Sequence, residues 1–102
     1  MSERIERLRV PADHPALPGH FPGRPLVPGV VLLELATRCA QQAYALGALR
    51  KVAMLKFVAP VLPDTDIDCI VAQDAQGRVT FRIERDGQIA AHGSLLFDTA
   101  PP

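Results

Sequence analysis

Six of the chain's ten prolines fall between Pro11 and Pro28, with Gly19 and Gly23 among them and Gly29 directly behind. Proline fixes φ and carries no backbone donor, so residues 11–29 cannot form an ordinary helix or a central strand. A linker would be rich in Ser, Gln and charge, whereas this segment interleaves Leu17, Phe21, Leu26 and Val27 with its prolines. That pattern predicts an ordered loop packed on the body of the protein.

The flanks of this loop read as regular structure. Before it, Ile5, Leu8 and Val10 alternate imperfectly with charges, which predicts a short strand over 4–10. Behind it, Pro28 occupies the favoured first turn of a helix, and good helix formers continue over 30–46 until Gly47, a natural stop. At about 100° per residue, Leu32, Leu33, Leu35, Ala36, Cys39, Ala40, Ala43 and Leu46 share one side. Glu34, Thr37, Arg38, Gln41, Gln42 and Tyr44 share the other, with Glu34 in the middle of that polar face.

After Gly47 the period drops to two. Strands are predicted over 51–58, over 66–72 with Ile67, Cys69 and Val71 on one face, around Val79, Phe81 and Ile83, and over 89–97. Asp74-Ala75-Gln76-Gly77 and Arg85-Asp86-Gly87-Gln88 are turn signals, the second fitting a two-residue type I′ hairpin. The sum is an α+β arrangement of strand, long loop, helix and four antiparallel strands, without internal repeats. A length of 102 residues gives one domain. One helix with about eight apolar positions covers a single sheet face, and so small a core predicts a second subunit.

Eleven basic against eleven acidic residues leave no net charge, which speaks against a nucleic-acid partner. No apolar h-region follows the charged start, and no run approaches the ~18 residues of a membrane span, so a soluble, cytoplasmic protein is expected. Cys39 and Cys69 match neither a disulfide framework nor a metal motif and read as small buried hydrophobes. His14 reads as an exposed turn residue, and His92 shares a predicted face with Ala90 and Ser94. The histidines lack metal-ligand spacing, and Asp64, Asp66 and Asp68 lack the Gly and distal Glu of a calcium loop and read as solvent-facing charges. No metal and no cofactor are expected.

Three features carry chemistry. His20 lies in Pro18-Gly19-His20-Phe21-Pro22-Gly23, where glycines let a substrate approach and an imidazole can exchange a proton near neutral pH. The bland alternative is a loop histidine bonded to the backbone. Glu34 is a candidate acid if a pocket closes on its face, or else half of an i,i+4 ion pair with Arg38. Gly29 offers an N–H at the positive end of the helix, a suitable donor to a carbonyl oxygen gaining charge, or simply eases the turn.

Taken together, the stretch from His14 through Gly19-His20-Phe21-Pro22-Gly23-Arg24-Pro25-Leu26-Val27-Pro28-Gly29 to Glu34 closely resembles the signature of the 3-hydroxyacyl-[acyl carrier protein] dehydratases of the FabZ and FabA type. The family pattern GHFPGxPxxPGxxxxE is matched position by position, and Phe57-Val58-Ala59-Pro60-Val61-Leu62-Pro63 is similar to the family's strand motif. The resemblance implies a hotdog fold, a long helix wrapped by an antiparallel sheet of about five strands, over residues 1–102. It also implies dehydration of a (3R)-3-hydroxyacyl thioester on an acyl carrier protein to the trans-2-enoyl thioester. His20 and Glu34 would be the catalytic pair, the one removing the C2 proton and the other protonating the leaving hydroxyl. Gly29, Phe21, Pro28 and Phe57 would contact substrate, with the Gly29 N–H on the thioester carbonyl. Because His and carboxylate come from different chains in that family, it implies an obligatory homodimer.

Two positions depart from the pattern: Arg38 stands where the family helix usually carries Gln, and Asp64 where its strand motif usually has Gly. The chain's brevity is more similar to the small stand-alone dehydratases of polyene and aryl-polyene pathways. Arg24, Arg50, Lys51 and Lys56 are candidates to meet an acidic carrier protein, or are scattered solubilising charges. The competing functions are an acyl thioesterase, whose helix carboxylate would activate water, and a non-catalytic hotdog subunit that binds an acyl chain, a carrier protein or a partner dehydratase.

Overall fold

The computed structural model describes residues 3–15, 17 and 26–99. Its elements run β1 (Arg4–Leu8), α1 (Gly29–Tyr44), β2 (Leu49–Phe57), β3 (Ile67–Gln73), β4 (Val79–Arg85) and β5 (Gln88–Phe97). All five strands join one antiparallel sheet in the order β1-β3-β4-β5-β2. The last three strands in sequence are consecutive neighbours, while β1 and β2 form the two edges.

Alternation decides what the sheet buries. Ile67, Cys69 and Val71 of β3, Val79, Phe81 and Ile83 of β4, and Ala91 and Leu95 of β5 are buried in the core. Against them α1 buries Val31, Leu32, Ala36, Cys39 and Ala40, and the fully buried Ala36 and Ala40 let the helix axis come close to the sheet. Val10, Val27 and Val61 close the ends of this core. Val27 is fixed there by its N–H, which donates to the Val61 carbonyl at 2.8 Å.

Local chemistry explains the turns. Asp86 and Gly87 both take positive φ, 52° and 79°, and Arg85 pairs with Gln88, as the predicted type I′ hairpin requires. In the other turn, Asp74 Oδ1 accepts the N–H groups of Gln76 and Arg78 at 3.0 and 2.9 Å. The helix ends differently from its sequence expectation. Ala45, at φ 52°, makes the left-handed cap two residues before Gly47. Gly47 instead serves a close approach: a Cβ there would lie 2.7 Å from the Thr99 carbonyl oxygen, and its N–H donates to the Asp98 carbonyl at 2.9 Å.

Other expectations need correcting on tertiary grounds. Tyr44, assigned to the polar face, turns its hydroxyl to the Val71 carbonyl at 3.1 Å and is half-buried. His14 is half-buried within a turn closed by its N–H on the Pro11 carbonyl. A bulge between Ile83 and Glu84 on the β4–β5 ladder puts Ala90 in the core, while His92 stays opposite Arg82 on the far face. Asp66 and Asp68 keep the solvent-facing positions expected of them and are paired there, with Arg9 at 2.8 Å and with Arg7 at 3.0 Å. Both cysteines are buried and free, as expected of small hydrophobes, but Cys39 also donates to Glu6 Oε2 at 3.4 Å. Its contact with Cys69 and its burial push the Cys39 thiol well above the usual thiol range, so it stays protonated.

Candidate active site

The N-terminus of α1 is built by Pro28. Its φ of −61° and ψ of 147° hold it extended, just outside the helix, and its carbonyl accepts the Val31 N–H at 3.0 Å. No side chain caps this end. The first N–H groups of a helix have no intrahelical acceptor, so Gly29 presents a donor along the helix axis. Beside it stands Phe57, at the end of β2, whose ring occupies the space a Gly29 side chain would need: a Cβ there would lie 2.5 Å from the ring carbon Cζ. Gly29 and Phe57 line an apolar cavity of about 360 Å³ with Leu26, Val27, Leu32 and the segment 58–61.

Glu34 lies elsewhere on the helix. Five residues of helical advance turn it about 140° from Gly29. Its side chain, 53% exposed, lies on the face turned away from the chain's own sheet. There it borders a second cavity of about 410 Å³, with Val30, Leu33, Thr37, Arg38, Gln41 and Leu49. The Arg38 guanidinium donates from Nη2 to Glu34 Oε1 at 2.6 Å, the i,i+4 pair legible in the sequence. His20, Phe21 and Arg24 lie outside the described residues. One chain therefore brings together Gly29 and Phe57 of the expected site, with Pro28 buried just before Gly29 at the helix start, and places Glu34 in a different cavity.

Comparison with known proteins gives this geometry its context. Residues 2–94 match the ApeI-like family, described as ApeI dehydratase. This chain belongs to that dehydratase family. The 3-hydroxyacyl-[acyl-carrier-protein] dehydratases FabZ of Ruminiclostridium cellulolyticum and Acetivibrio thermocellus are each 28% identical to it over 100 residues. Those matches span 86% of this chain and 70% and 68% of the two relatives. Among solved structures, the dehydratase heterocomplex ApeI:P from Xenorhabdus doucetiae aligns with a TM-score of 0.84 at 28% identity, over 94% of this chain and 87% of that one. The protein is thus a FabZ-type hotdog dehydratase, with one helix on a five-stranded antiparallel sheet.

Within this dehydratase, the departure at Asp64 has a backbone reason. Asp64 has a φ of 57°, the left-handed region that glycine enters freely and that Asp tolerates better than most residues. Its N–H donates to the Val10 carbonyl at 2.8 Å, and its Oδ1 accepts the Ala12 N–H at 3.2 Å. The aspartate thus ties the proline-rich loop's start to the strand motif. Among the described residues, no three His, Cys, Asp or Glu side chains are grouped to hold a metal ion, and no helix is long and apolar enough to cross a membrane.

Proposed function

We propose that this dehydratase removes water from a (3R)-3-hydroxyacyl thioester carried on an acyl carrier protein, giving the trans-2-enoyl thioester in fatty-acid or polyene-type biosynthesis. His20 takes the proton from C2, the C3–O bond breaks as C2=C3 forms, and Glu34 supplies the proton with which hydroxide leaves as water. The Gly29 N–H meets the thioester oxygen as charge gathers on it. Each role answers a barrier: the C2 proton becomes acidic only if the carbonyl is polarised, and hydroxide is a poor leaving group unless protonated. Phe21, Pro28 and Phe57 line the acyl path, and the cytoplasmic setting expected from the sequence belongs to the same reading.

The observation that carries this reading is the family match over residues 2–94 on a helix that opens at Gly29 beside an apolar cavity and displays Glu34 away from its own core. A carboxylate so exposed needs a second chain to enclose it, so the working unit is a dimer in which His20 and Glu34 of one site come from different chains. A second copy of this chain is the partner we favour. A different hotdog subunit is the second reading, supported by the heterocomplex in which ApeI of Xenorhabdus doucetiae was solved and by a β2 edge that carries Lys51 and Lys56, with Arg50 paired to Asp98 at 3.7 Å.

The test is to incubate the protein with a 3-hydroxyacyl chain on its carrier and follow the intact carrier by mass. Loss of one water, or its gain when the enoyl thioester is supplied, supports the dehydration. Release of the bare carrier points to a thioesterase instead. An unchanged carrier over short, long and polyene chains overturns the proposal for this chain alone, and restoration by an added hotdog subunit then favours the second reading.

A further inference from the structure

We propose that Arg38 is the positioning residue for Glu34, holding one carboxylate oxygen so that the proton is delivered from the other; this rests on Glu34 being the acid of the dehydration. The cavity beside Glu34 has few groups able to orient it. Val30, Leu33 and Leu49 are apolar, Thr37 Oγ1 donates to the Leu33 carbonyl at 2.8 Å, and Gln41 Nε2 donates to the Gly47 carbonyl at 2.9 Å. Among the described residues lining this cavity, only Arg38 is bonded to the carboxylate, from Nη2 to Oε1 at 2.6 Å.

In open water such a pair is weak. An exposed i,i+4 ion pair contributes too little to matter for the stability of a helix already anchored by five buried side chains. Its effect grows once a partner chain and the acyl thioester exclude water from this face: with Glu34 in the protonated form the acid step requires, the guanidinium N–H occupies the C=O oxygen and leaves the proton to the other, and such a hydrogen bond strengthens as the local dielectric falls. Glu34 has three side-chain torsions, and among the described residues no other hydrogen bond fixes them. Arg38 reduces that freedom before substrate arrives. The contact is single-ended, one nitrogen on one oxygen, so it needs a donor of the right reach and not a planar guanidinium fork.

The experiment measures kcat and KM for Arg38→Met, Arg38→Lys, Glu34→Gln and the double variant Arg38→Met/Glu34→Gln in the assembled enzyme, with assembly mass and melting temperature recorded for each. Arg38→Met is expected to lower kcat about 10- to 100-fold with KM nearly unchanged, the effect of a misplaced catalytic group. Arg38→Lys should restore kcat to within about threefold of the parent, since it keeps a donor of similar reach. Adding Arg38→Met to Glu34→Gln should lower kcat no further, because Arg38 acts through Glu34. An Arg38→Met enzyme at the parent kcat overturns the inference, as does a double variant whose losses multiply. Should Arg38→Met fail to assemble, Arg38→Ala, which likewise removes the donor, is measured against the same criteria. Parent-like turnover by Glu34→Gln would instead overturn the role of Glu34 itself, and the two failures are thereby distinguished.

Discussion

The two edges of the sheet are finished in opposite ways. The β1 edge is five residues long and crossed by charge: Arg7 bonds Asp68 of the neighbouring β3, and Glu3, just before the strand, bonds Arg82 of β4 at 2.7 Å. Glu6 turns inward onto the buried Cys39. A short edge with charges locked to its neighbours offers little to another strand. The β2 edge is nine residues long, nearly all exposed, and bears Val52, Met54 and Phe57 at its surface with Val58 just beyond. Long, exposed and partly apolar, it is shaped to be covered. One edge is closed by charge, and the other stays open within the single chain, where the proposed dimer would meet it.

Substitutions can break or sharpen this contrast. The largest effect is expected from His20→Ala and from Glu34→Ala, each lowering kcat/KM by about 10²–10⁴-fold, the usual share of an acid or base, with assembly mass unchanged. Mixing the two inactive variants should then recover activity, since a mixed pair contains one complete site. Mixtures that stay inactive would mean the open edge does not bring the catalytic pair together. Next comes Val52→Asp, which adds a carboxylate to the open edge and should reduce the mass in light scattering from two chains to one, with loss of turnover. Ile5→Asp on the guarded edge should change neither. Equal responses from the two edges would remove the distinction between them.

Gly29→Ala tests the inner end of the site. Its methyl group meets the Phe57 ring, and overpacking of this kind destabilises by about 1–3 kcal/mol. Denaturant unfolding should show that loss, and Phe57→Leu added to Gly29→Ala should return more than half of it. The smallest effect belongs to the guarded edge. The hydrogen bond from Arg7 holds the Asp68 carboxyl below the ordinary carboxylate range. A depressed folded-state pKa stabilises the fold above the unfolded value of about 3.9, and the gain is lost as pH falls through the lower folded value. Arg7→Met should therefore lower the melting temperature slightly at neutral pH and low salt. The difference from the parent should close on acidification and in high salt.

The elements were legible because their signals are local. Pro28 marked the helix start, the Asp86-Gly87 turn carried its own backbone chemistry, and alternation located β3, β4 and β5. What lay hidden was set by distant chain. The cations Arg50, Lys51 and Lys56 suit an edge strand, yet edge position is decided by which strands pair with it and not by its own pattern. Tyr44 looked polar by angle and turned inward because β3 offers it a carbonyl. The bulge at Ala90 shifted a face that simple alternation had assigned otherwise. Of the candidate site, the Glu34–Arg38 pair was readable from helical spacing, whereas the stacking of Phe57 on Gly29 joins residues far apart in sequence and needed the fold.

The strand order also bears on how the chain is made. The sole neighbour of β2 within the sheet is β5, which leaves the ribosome about thirty residues later. At about 5–20 residues per second, β2 waits roughly 2–6 s with both of its edges unpaired. An apolar strand in that position invites association with the wrong chain. Arg50, Lys51 and Lys56 then act as gatekeepers during synthesis, repelling a second nascent β2 until β5 has claimed the inner side.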